Sequence, residues 1–405
     1  MNPNEVRKDF PLLAANPSLA YLDSAATAQK PRCVPEALRR FYEEDNANPL
    51  RGLYDLSQRA TERYENARET VRRFLNAESA AEIIFTRNAT EGLNLAAYCL
   101  GETLHPGDEI LVTVLEHHSN LLPWQRCAAR SGAVLRYLDC REDGVITAEA
   151  FLAALTERTR VVAMAQISNV LGTENDIARF AALAHEAGAL FVCDGAQSVP
   201  HRRTDVRALG VDFLAFSGHK MCGPMGIGVL YGRRALLERL PPFLTGGEMI
   251  EYVTREGATW AELPHKFEAG TVNAAGAVGL ASAVEYYEAL GFDAIEERER
   301  RLGRIAFDAL RAVPHLHLLG SKKADEHNGI FTFTLDGAHP HDIAEILNAD
   351  GICIRAGHHC AQVLLQRLGL GSAARASIMF YNTEEELVRL ADSLSTVRRR
   401  LGHAE

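Results

Sequence analysis

The sequence predicts an α/β protein built on a mixed, mostly parallel sheet, with a smaller α+β domain towards the carboxyl terminus. Short, almost continuously apolar runs recur through the first part of the chain, and segments with helical spacing separate them. Strands of a parallel sheet are covered on both faces, so they lack the polar–apolar alternation of half-exposed strands. Residues 329–335 do alternate in this way, which indicates a half-buried strand in the last third of the chain.

The elements follow from these patterns in chain order. A helix is predicted at residues 55–75, where apolar side chains recur every three or four positions. The buried strands are predicted at residues 82–86, 109–115, 160–167, 189–193 and 211–216. Residues 343–347 continue as a helix, and Thr383 with Glu386 forms a capping-box pattern that predicts the start of the last helix.

Composition excludes several classes of protein. The chain has 405 residues, of which 47% are hydrophobic, and its formal net charge is -10. No segment is dominated by basic residues, which argues against a nucleic-acid-binding protein. No apolar run is long enough to span a bilayer and the amino terminus has no signal-peptide core, so we expect a cytoplasmic protein. The eight cysteines have irregular spacing and no Cys-x-x-Cys pair, which predicts free thiols.

A group of polar residues follows each of the five predicted buried strands. The central members of these groups are Thr90, His117, Asn169, Asp194 and Lys220. Because ligands bind beyond the carboxyl ends of the strands in parallel sheets, we expect these five positions to converge there. Lys220 leaves the end of its strand beside small residues, a place where a lysine can be desolvated and act as an amine nucleophile.

The converging side chains are suited to a phosphorylated pyridine aldehyde, pyridoxal phosphate (PLP). Lys220 would join the aldehyde, Asp194 would keep the pyridine nitrogen protonated, and His117 offers a flat ring. The donors expected for the phosphate are Thr90, Ser217 and His219. Gln197, three residues after Asp194, is placed to hydrogen-bond the phenolic oxygen of the ring.

The chain resembles group II cysteine desulfurases of the Suf type, which are class V, fold-type-I PLP enzymes. Six segments carry the resemblance in family order: EHHSN (116–120), DGAQ (194–197), FSGHK (216–220), FEAGT (267–271), RAGHHC (355–360) and RAS (375–377). The resemblance implies a large PLP-binding domain at residues 21–280. Residues 1–20 together with 281–405 would form the small α+β domain, which carries the catalytic cysteine loop.

The resemblance also implies roles for individual residues. His117 would stack on the cofactor, and Thr271 would reach the phosphate bound by a neighbouring subunit, so a homodimer with composite active sites is expected. Asn169 and Arg375 would hold the substrate carboxylate, for which a guanidinium fork is suited, and Arg355 is a further substrate-binding candidate.

The catalytic thiol is expected to be Cys360, because it follows Arg355, His358 and His359 in a glycine-containing loop that favours the thiolate. The remaining cysteines are better explained as packing residues: Cys33, Cys99, Cys127, Cys140, Cys193, Cys222 and Cys353. A zinc or iron site at His358–Cys360 with His339 and His341 is the alternative. No regular ligand spacing supports it, and we expect no metal.

The reaction implied by the resemblance converts L-cysteine to L-alanine and leaves the sulfur as a persulfide on Cys360, for iron–sulfur cluster assembly. Lys220 would remove the Cα proton and His117 would donate a proton. The sulfur would leave through an acceptor protein of the SufE or SufU kind. Selenocysteine lyase, cysteine sulfinate desulfinase and transaminase activities remain alternatives on the same scaffold, and a non-catalytic role in iron–sulfur assembly is a further one.

One segment departs from the family pattern. Suf-type members usually have a His-Arg-Gly-x-His sequence near the substrate entrance, but this chain has LRGLY at residues 50–54. Both histidines are therefore replaced, by Leu50 and Tyr54. Residues 246–260 retain a hairpin-like insertion, which covers the neighbouring active site in relatives.

Overall fold

The computed structural model describes residues 3–403. Its helices are α1 (Pro3–Lys8), α2 (Pro11–Ala15), α3 (Cys33–Glu44), α4 (Asp55–Phe74), α5 (Ala89–Gly101), α6 (Leu122–Ser131), α7 (Ala148–Ala154), α8 (Ile177–Glu186), α9 (Val206–Leu209), α10 (Arg234–Leu237), α11 (Ala274–Leu290), α12 (Phe292–Arg311), α13 (Pro340–Ala349), α14 (Gln362–Arg367) and α15 (Glu384–Arg400). Within the described range, none of these helices is both long enough and apolar enough to cross a membrane.

The strands form one large sheet and several smaller ones. They are β1 (Ala20–Tyr21), β2 (Ile83–Thr86), β3 (Glu109–Thr113), β4 (Val134–Leu138), β5 (Thr159–Ala165), β6 (Leu190–Asp194), β7 (Phe213–Ser217), β8 (Gly228–Gly232), β9 (Ile250–Val253), β10 (Ala258–Trp260), β11 (Leu316–Leu318), β12 (Ile330–Leu335), β13 (Ile352–Cys353), β14 (Arg355–Gly357) and β15 (Ala373–Ser377).

The large sheet is mixed and mostly parallel, as the sequence predicts. Its seven strands lie in the order β2-β8-β7-β6-β5-β3-β4. Strands β7, β6, β5, β3 and β4 pair in parallel, whereas β8 is antiparallel to both β7 and β2. Helices cover both faces, and for this reason β2, β3, β7 and β8 are buried along their whole length.

The predicted strands and helices are present, with boundaries that move by a few residues. Two strands end earlier than predicted, at Thr113 and Ala165, because the apolar side chains after them belong to turns. Helix α13 is longer at both ends than the predicted 343–347. The capping box of α15 is confirmed, since Thr383 Oγ1 accepts from the Glu386 N–H and Glu386 Oε2 accepts from the Thr383 N–H.

A second, antiparallel sheet lies in the carboxyl-terminal part of the chain, with strand order β11-β12-β15-β14. Helices α12, α13 and α15 pack against it around a separate hydrophobic core. The predicted boundary after residue 280 falls within α11, a continuous helix that packs on α3 and α4. The division into domains at 21–280 and 281–405 thus stays a prediction.

The amino-terminal segment contacts both parts of the chain. β1 pairs in parallel with β13 of the carboxyl-terminal part. Arg7 forms a 2.7 Å ion pair with Glu386 of α15. Phe10, however, packs on Tyr286 and Tyr381 within the core of the large sheet. Residues 3–21 therefore contact both sheets; residues 1 and 2 of the predicted small domain lie outside the described range.

Candidate functional site

A cavity of about 260 Å³ lies where the parallel strands of the large sheet end. All predicted site residues except Thr271 line it: Thr90, His117, Asn169, Asp194, Gln197, Ser217, His219, Lys220, Arg355, Cys360 and Arg375. They come from segments far apart in the sequence, and they meet because β3, β5, β6 and β7 run in the same direction. The predicted convergence at this edge of the sheet is confirmed.

Lys220 ends a short 3₁₀ turn that directly follows β7. Burial lowers its pKa to about 8, although the nearby Asp194 carboxylate opposes the shift. Burial also lowers the pKa of Lys30 to about 8. The Lys30 amine, however, donates to the carbonyls of Ala28 and His219, whereas the Lys220 amine has no such partner among residues 3–403. Of these two lysines with lowered pKa, Lys220 is therefore the one whose amine is free to act as a nucleophile.

Asp194 is the last residue of β6 and is buried. One of its carboxylate oxygens accepts from the Ala196 N–H at 2.9 Å, and no donor within residues 3–403 reaches the other oxygen. Burial raises the pKa of Asp194, opposed by the Ala196 N–H and the charge of Lys220. Gln197 is fixed by a 2.9 Å bond from its Nε2 to the Ala25 carbonyl, which leaves the second amide hydrogen for a ligand.

His117 lies just beyond β3, and its ring is neutral at physiological pH. Burial lowers its pKa to about 3, and the charge of Lys220 adds to the effect. Its Nδ1 accepts the Ser119 N–H at 3.1 Å, so the single ring proton is on Nε2. The preceding residue, Glu116, is fully buried and accepts from Asn120 at 2.6 Å and from the Ala165 N–H at 3.1 Å. Glu116 thereby fixes the turn that carries His117.

The start of α5 lines one end of the cavity, and a helix amino terminus is suited to an anion because it presents free N–H groups. The Ala89, Glu91 and Gly92 N–H groups are bonded to Ser217 and Asn88, whereas the Thr90 N–H has no partner in the described part of the chain. Ser217 Oγ accepts the Ala89 N–H at 2.8 Å, so its own hydrogen remains available for donation. Thr90 Oγ1 lies 2.7 Å from Ser119 Oγ, and both side chains line the cavity. His219 is held neutral, because burial lowers its pKa to about 4.

Arg375 is buried on β15, and its guanidinium is only partly satisfied. Its Nη1 donates to the Asn169 carbonyl at 2.8 Å, while its Nε is buried without a hydrogen-bond partner in the described range. Burial lowers the pKa of Arg375 to about 10, and the Asp23 carboxylate opposes the shift. The Asn169 side-chain amide donates to the His359 carbonyl at 2.7 Å, so it also holds the cysteine loop.

Cys360 is exposed, and it lies in a loop with unusual backbone geometry. His359 and Cys360 both have left-handed φ angles, 51° and 53°, which non-glycine residues adopt only at a cost. The loop is held by the buried His359, whose Nε2 donates to the Ala373 carbonyl at 3.0 Å, and by the His118 N–H, which donates to the Cys360 carbonyl at 2.7 Å. These bonds direct the Cys360 thiol into the cavity lining.

The prediction that the other cysteines are packing residues is wrong for Cys33 and only partly right for Cys353. Five of the seven are buried, but Cys33 is exposed and Cys353 is half-buried. Cys33 is the first residue of α3, and its thiol lies at the edge of α11, 3.9 Å from the Ser282 carbonyl. Within residues 3–403, no three His, Cys, Asp or Glu side chains are placed to hold a metal ion.

Thr271 is exposed and does not line the cavity of its own chain. Its expected action in a neighbouring subunit stays a prediction. The sequence analysis also missed three residues of the site: Asp23, Glu116 and Ser119. Glu116 and Ser119 lie in the quoted segment 116–120, so the segment itself was the available signal. Asp23 forms ion pairs with Arg355 at 3.0 Å and with Arg375 at 3.5 Å. No local sequence pattern predicts these two ion pairs.

Comparison with known proteins identifies relatives over the whole chain. A family model described as aminotransferase class-V matches residues 20–390. A protein of Halalkalibacterium halodurans named "Probable cysteine desulfurase" is 48% identical and covers 100% of both chains. The crystal structure of the cysteine desulfurase CsdA (S-sulfonic acid) from Escherichia coli has a TM-score of 0.92 and 40% identity, and it covers 99% of each chain. A mutant of C-DES, solved with glycine covalently linked to its PLP cofactor, has a TM-score of 0.84 and 25% identity, covering 96% of this chain and 98% of C-DES.

Proposed function

The chain belongs to the aminotransferase class-V family, with its fold-type-I architecture, and we propose that it is a PLP-dependent cysteine desulfurase. The reaction converts L-cysteine to L-alanine and leaves a persulfide on Cys360. One observation carries the proposal: the same cavity is lined by Lys220, an amine of lowered pKa, and by Cys360, an exposed thiol. The first is the group that PLP chemistry requires, and the second is the group that accepts sulfur.

The donor set of the cavity fits PLP. Asp194 has a carboxylate oxygen free for a pyridinium N–H, and Lys220 has a free amine for the aldehyde. The start of α5 with Ser217 supplies uncommitted donors suited to a phosphate. We assign Thr90, His219 and Gln197 to the same cofactor, together with the ring of His117. These assignments are supported by the position of each residue in the cavity lining.

Different side chains of the cavity transfer the protons and bind the substrate. When bound, PLP supplies an electron-accepting ring that stabilises negative charge on the substrate Cα. Lys220, with a pKa of about 8, is uncharged in an appreciable fraction of molecules at neutral pH and takes up the Cα proton. His117 keeps its proton on Nε2, which makes it a donor rather than a base. Arg375, with Arg355 and Asn169 beside it, binds the substrate carboxylate through the free guanidinium donor.

The sulfur transfer is a displacement at the substrate sulfur. The Cys360 thiolate attacks that sulfur, a sulfur–sulfur bond forms, and the Cβ–sulfur bond of the substrate breaks. The carbon skeleton leaves as L-alanine after protonation, and the enzyme retains the sulfur as a persulfide. The balance is one L-cysteine and one thiol giving one L-alanine and one persulfide, so no external oxidant or reductant takes part.

The active enzyme is a homodimer with composite sites. Strands β9 and β10 form an antiparallel hairpin whose large apolar side chains face outward, with Tyr252 69% and Val253 65% exposed. Leu53, in the segment that replaces the family histidines, is 92% exposed. Arg51 of that segment is joined to the hairpin base by a 2.7 Å ion pair with Glu248. Large apolar side chains exposed on two joined segments support a surface that a partner covers.

The finer assignments follow the resemblance. We infer that the enzyme acts in the cytoplasm, where its eight cysteines stay reduced. The exposed Cys360 loop lets the persulfide reach an acceptor protein of the SufE or SufU kind, which passes the sulfur to iron–sulfur cluster assembly. Selenocysteine lyase and cysteine sulfinate desulfinase activities use the same cavity and are separated from desulfuration only by product analysis.

The test is mass spectrometry of the purified enzyme after incubation with L-cysteine. We expect one added sulfur on the peptide that contains Cys360, together with L-alanine release. The Cys360→Ser variant should release no alanine and still bind PLP, and Cys33→Ala, which removes the other exposed thiol, should behave as the wild type. Sulfur on another cysteine, or a protein that binds no PLP at Lys220, would refute the proposal.

A further inference from the structure

We propose that Glu268 is a positioning residue that holds Thr271 in place for the neighbouring subunit's cofactor phosphate. This inference rests on the proposed function and on the composite homodimer. It concerns residues 268–273, defined here as the Thr271 loop, which connects a 3₁₀ turn ending at Phe267 to α11. Thr271 is exposed within this loop, but Glu268 is only 5% exposed.

The Glu268 carboxylate is bound by four donors. Arg68 of α4, itself 0% exposed, donates from Nη1 at 2.6 Å and from Nη2 at 2.8 Å. The Tyr64 hydroxyl donates at 2.8 Å, and the Phe85 N–H donates at 2.7 Å. Because a buried carboxylate with this many charged and neutral donors cannot move without losing them together, it fixes the start of the loop.

The same ion pair completes the edge of the large sheet. Strand β2 is the first strand of the sheet order, so the hydrogen-bonding groups on its outer side face no other strand. Glu268 accepts the Phe85 N–H, and Arg68 Nη1 donates to the Ile83 carbonyl at 2.8 Å. The start of the Thr271 loop is therefore attached to the large sheet through β2.

The other end of the loop is held by Asn273. Its Oδ1 accepts the Gly276 N–H at 2.9 Å, which caps α11, and its Nδ2 donates to the Gly226 carbonyl at 2.9 Å. Between the two ends, the Gly270 N–H donates to Gly247 at the base of the β9–β10 hairpin. Thr271 is thus the exposed residue of a short segment with fixed ends. Its geometry suits a contact that must be placed accurately on another chain.

Mixed dimers separate an effect on the partner's site from an effect on the residue's own site. Only a chain with Lys220 can be labelled when PLP is reduced onto the protein with borohydride, so Lys220→Ala marks one chain as silent. In the first mixed dimer, Glu268→Gln and Lys220→Ala are on the same chain, and the partner is wild type. In the second, a Glu268→Gln chain is paired with a Lys220→Ala chain. Pyridoxyl label on Lys220 is measured against PLP concentration.

In the first dimer, the only site that can be labelled receives Thr271 from the Glu268→Gln chain. We expect the PLP concentration for half-labelling to rise about tenfold, the loss that corresponds to one weakened hydrogen bond to a charged group. In the second dimer, the labelled site receives Thr271 from a chain with intact Glu268, and half-labelling should stay at the wild-type concentration. A loss in the second dimer, or no loss in the first, overturns the inference.

Two further variants complete the test: one is a matched control, and the other can replace Glu268→Gln. Glu109→Gln alters a carboxylate that is equally buried and bound by Arg136 and Arg158, but at the end of β3 away from the cavity, and it should leave half-labelling unchanged. Should Glu268→Gln fail to fold, the double variant Arg68→Met with Glu268→Gln removes both charges, so that neither is left buried without its partner. In the first mixed dimer, this double variant should raise the PLP concentration for half-labelling as Glu268→Gln does.

The outcomes also separate this inference from the proposed function. Thr271→Ala, placed in the first arrangement, should give the same loss as Glu268→Gln. If Thr271→Ala shows the loss and Glu268→Gln does not, the positioning role is wrong and the function stands. If the wild-type dimer takes no pyridoxyl label on Lys220 at all, the proposed function itself is wrong.

Discussion

Arg355 and Arg375 lie directly opposite each other on antiparallel strands β14 and β15, and the Asp23 carboxylate contacts both guanidinium groups. Arg355 takes the larger share, with bonds from Nε and Nη2 to both carboxylate oxygens at 3.0–3.2 Å. Arg375 is left with a buried Nε that has no partner in the described part of the chain. In the proposed function, a substrate carboxylate would supply the acceptor that this donor lacks.

Replacing Arg375 by lysine should therefore weaken L-cysteine binding. We expect KM to rise at least tenfold, since the fork geometry is lost and a charge-assisted hydrogen bond contributes about 1.5–3 kcal/mol. PLP capture by Lys220 should be unchanged. The measurement is steady-state alanine release. Arg367→Lys is the control, because Arg367 binds the Asp139 carboxylate on the surface and does not line the cavity. An unchanged KM for Arg375→Lys contradicts the assignment.

The pKa of Lys220 predicts how PLP capture depends on pH. With a pKa of about 8, the rate of capture by the apoprotein should rise about tenfold per pH unit below pH 8 and level off above it. The Asp194 charge raises the pKa of Lys220, so Asp194→Asn should move the midpoint to lower pH. Stopped-flow absorbance measures both profiles, and the distant Asp139→Asn should leave the midpoint in place. A midpoint near the ordinary lysine pKa would show that the amine is solvated.

The raised pKa of Glu116 predicts that the free energy of unfolding depends on pH. Burial raises its pKa to about 8, so between the unfolded pKa near 4.3 and pH 8 the native state holds a proton that the unfolded chain releases. The stabilisation is therefore lost as pH rises through this range, by at most ~1.4 kcal/mol per pH unit. In Glu116→Gln, this contribution to the pH dependence of the free energy of unfolding should disappear. Any loss of stability from the substitution itself should be the same at every pH. Urea unfolding between pH 5 and about 8 tests it. Parallel pH curves for the two proteins would contradict the prediction.

The position of Gly228 links strand β8 sterically to Asn88, the residue before α5 at the edge of the cavity. A Cβ at this position would lie 2.5 Å from the Asn88 Cα and 2.8 Å from the Phe216 carbonyl oxygen, both backbone atoms. Gly228→Ala should cost about 1–3 kcal/mol of stability and also weaken PLP binding, because Asn88 caps α5. Unfolding curves and PLP titration measure the two effects. Gly371→Ala, with open space around its Cβ, should change neither.

Much of the fold could be predicted because the large sheet is buried on both faces. A parallel strand covered by helices has to be apolar along its length, so β3, β5, β6 and β7 are visible as local runs. The same pattern does not fix the strand ends, because the apolar residues after Thr113 and Ala165 fill turns instead of extending the strands. The exposure of Cys33 was also not predicted, because it depends on how α3 packs beside α11, where the thiol lies 3.9 Å from the Ser282 carbonyl.

The sequence by itself determined which reactive groups this protein has. It also predicted that they gather beyond the strand ends, because continuously apolar strands separated by helical segments indicate a parallel sheet, whose carboxyl ends share one edge. Tertiary structure alone decided which charges pair. Asp23 reaches Arg355 across 332 residues, and Glu268 reaches Arg68 across 200. Such pairs form only after the elements that carry them have packed together, and no local pattern encodes that packing.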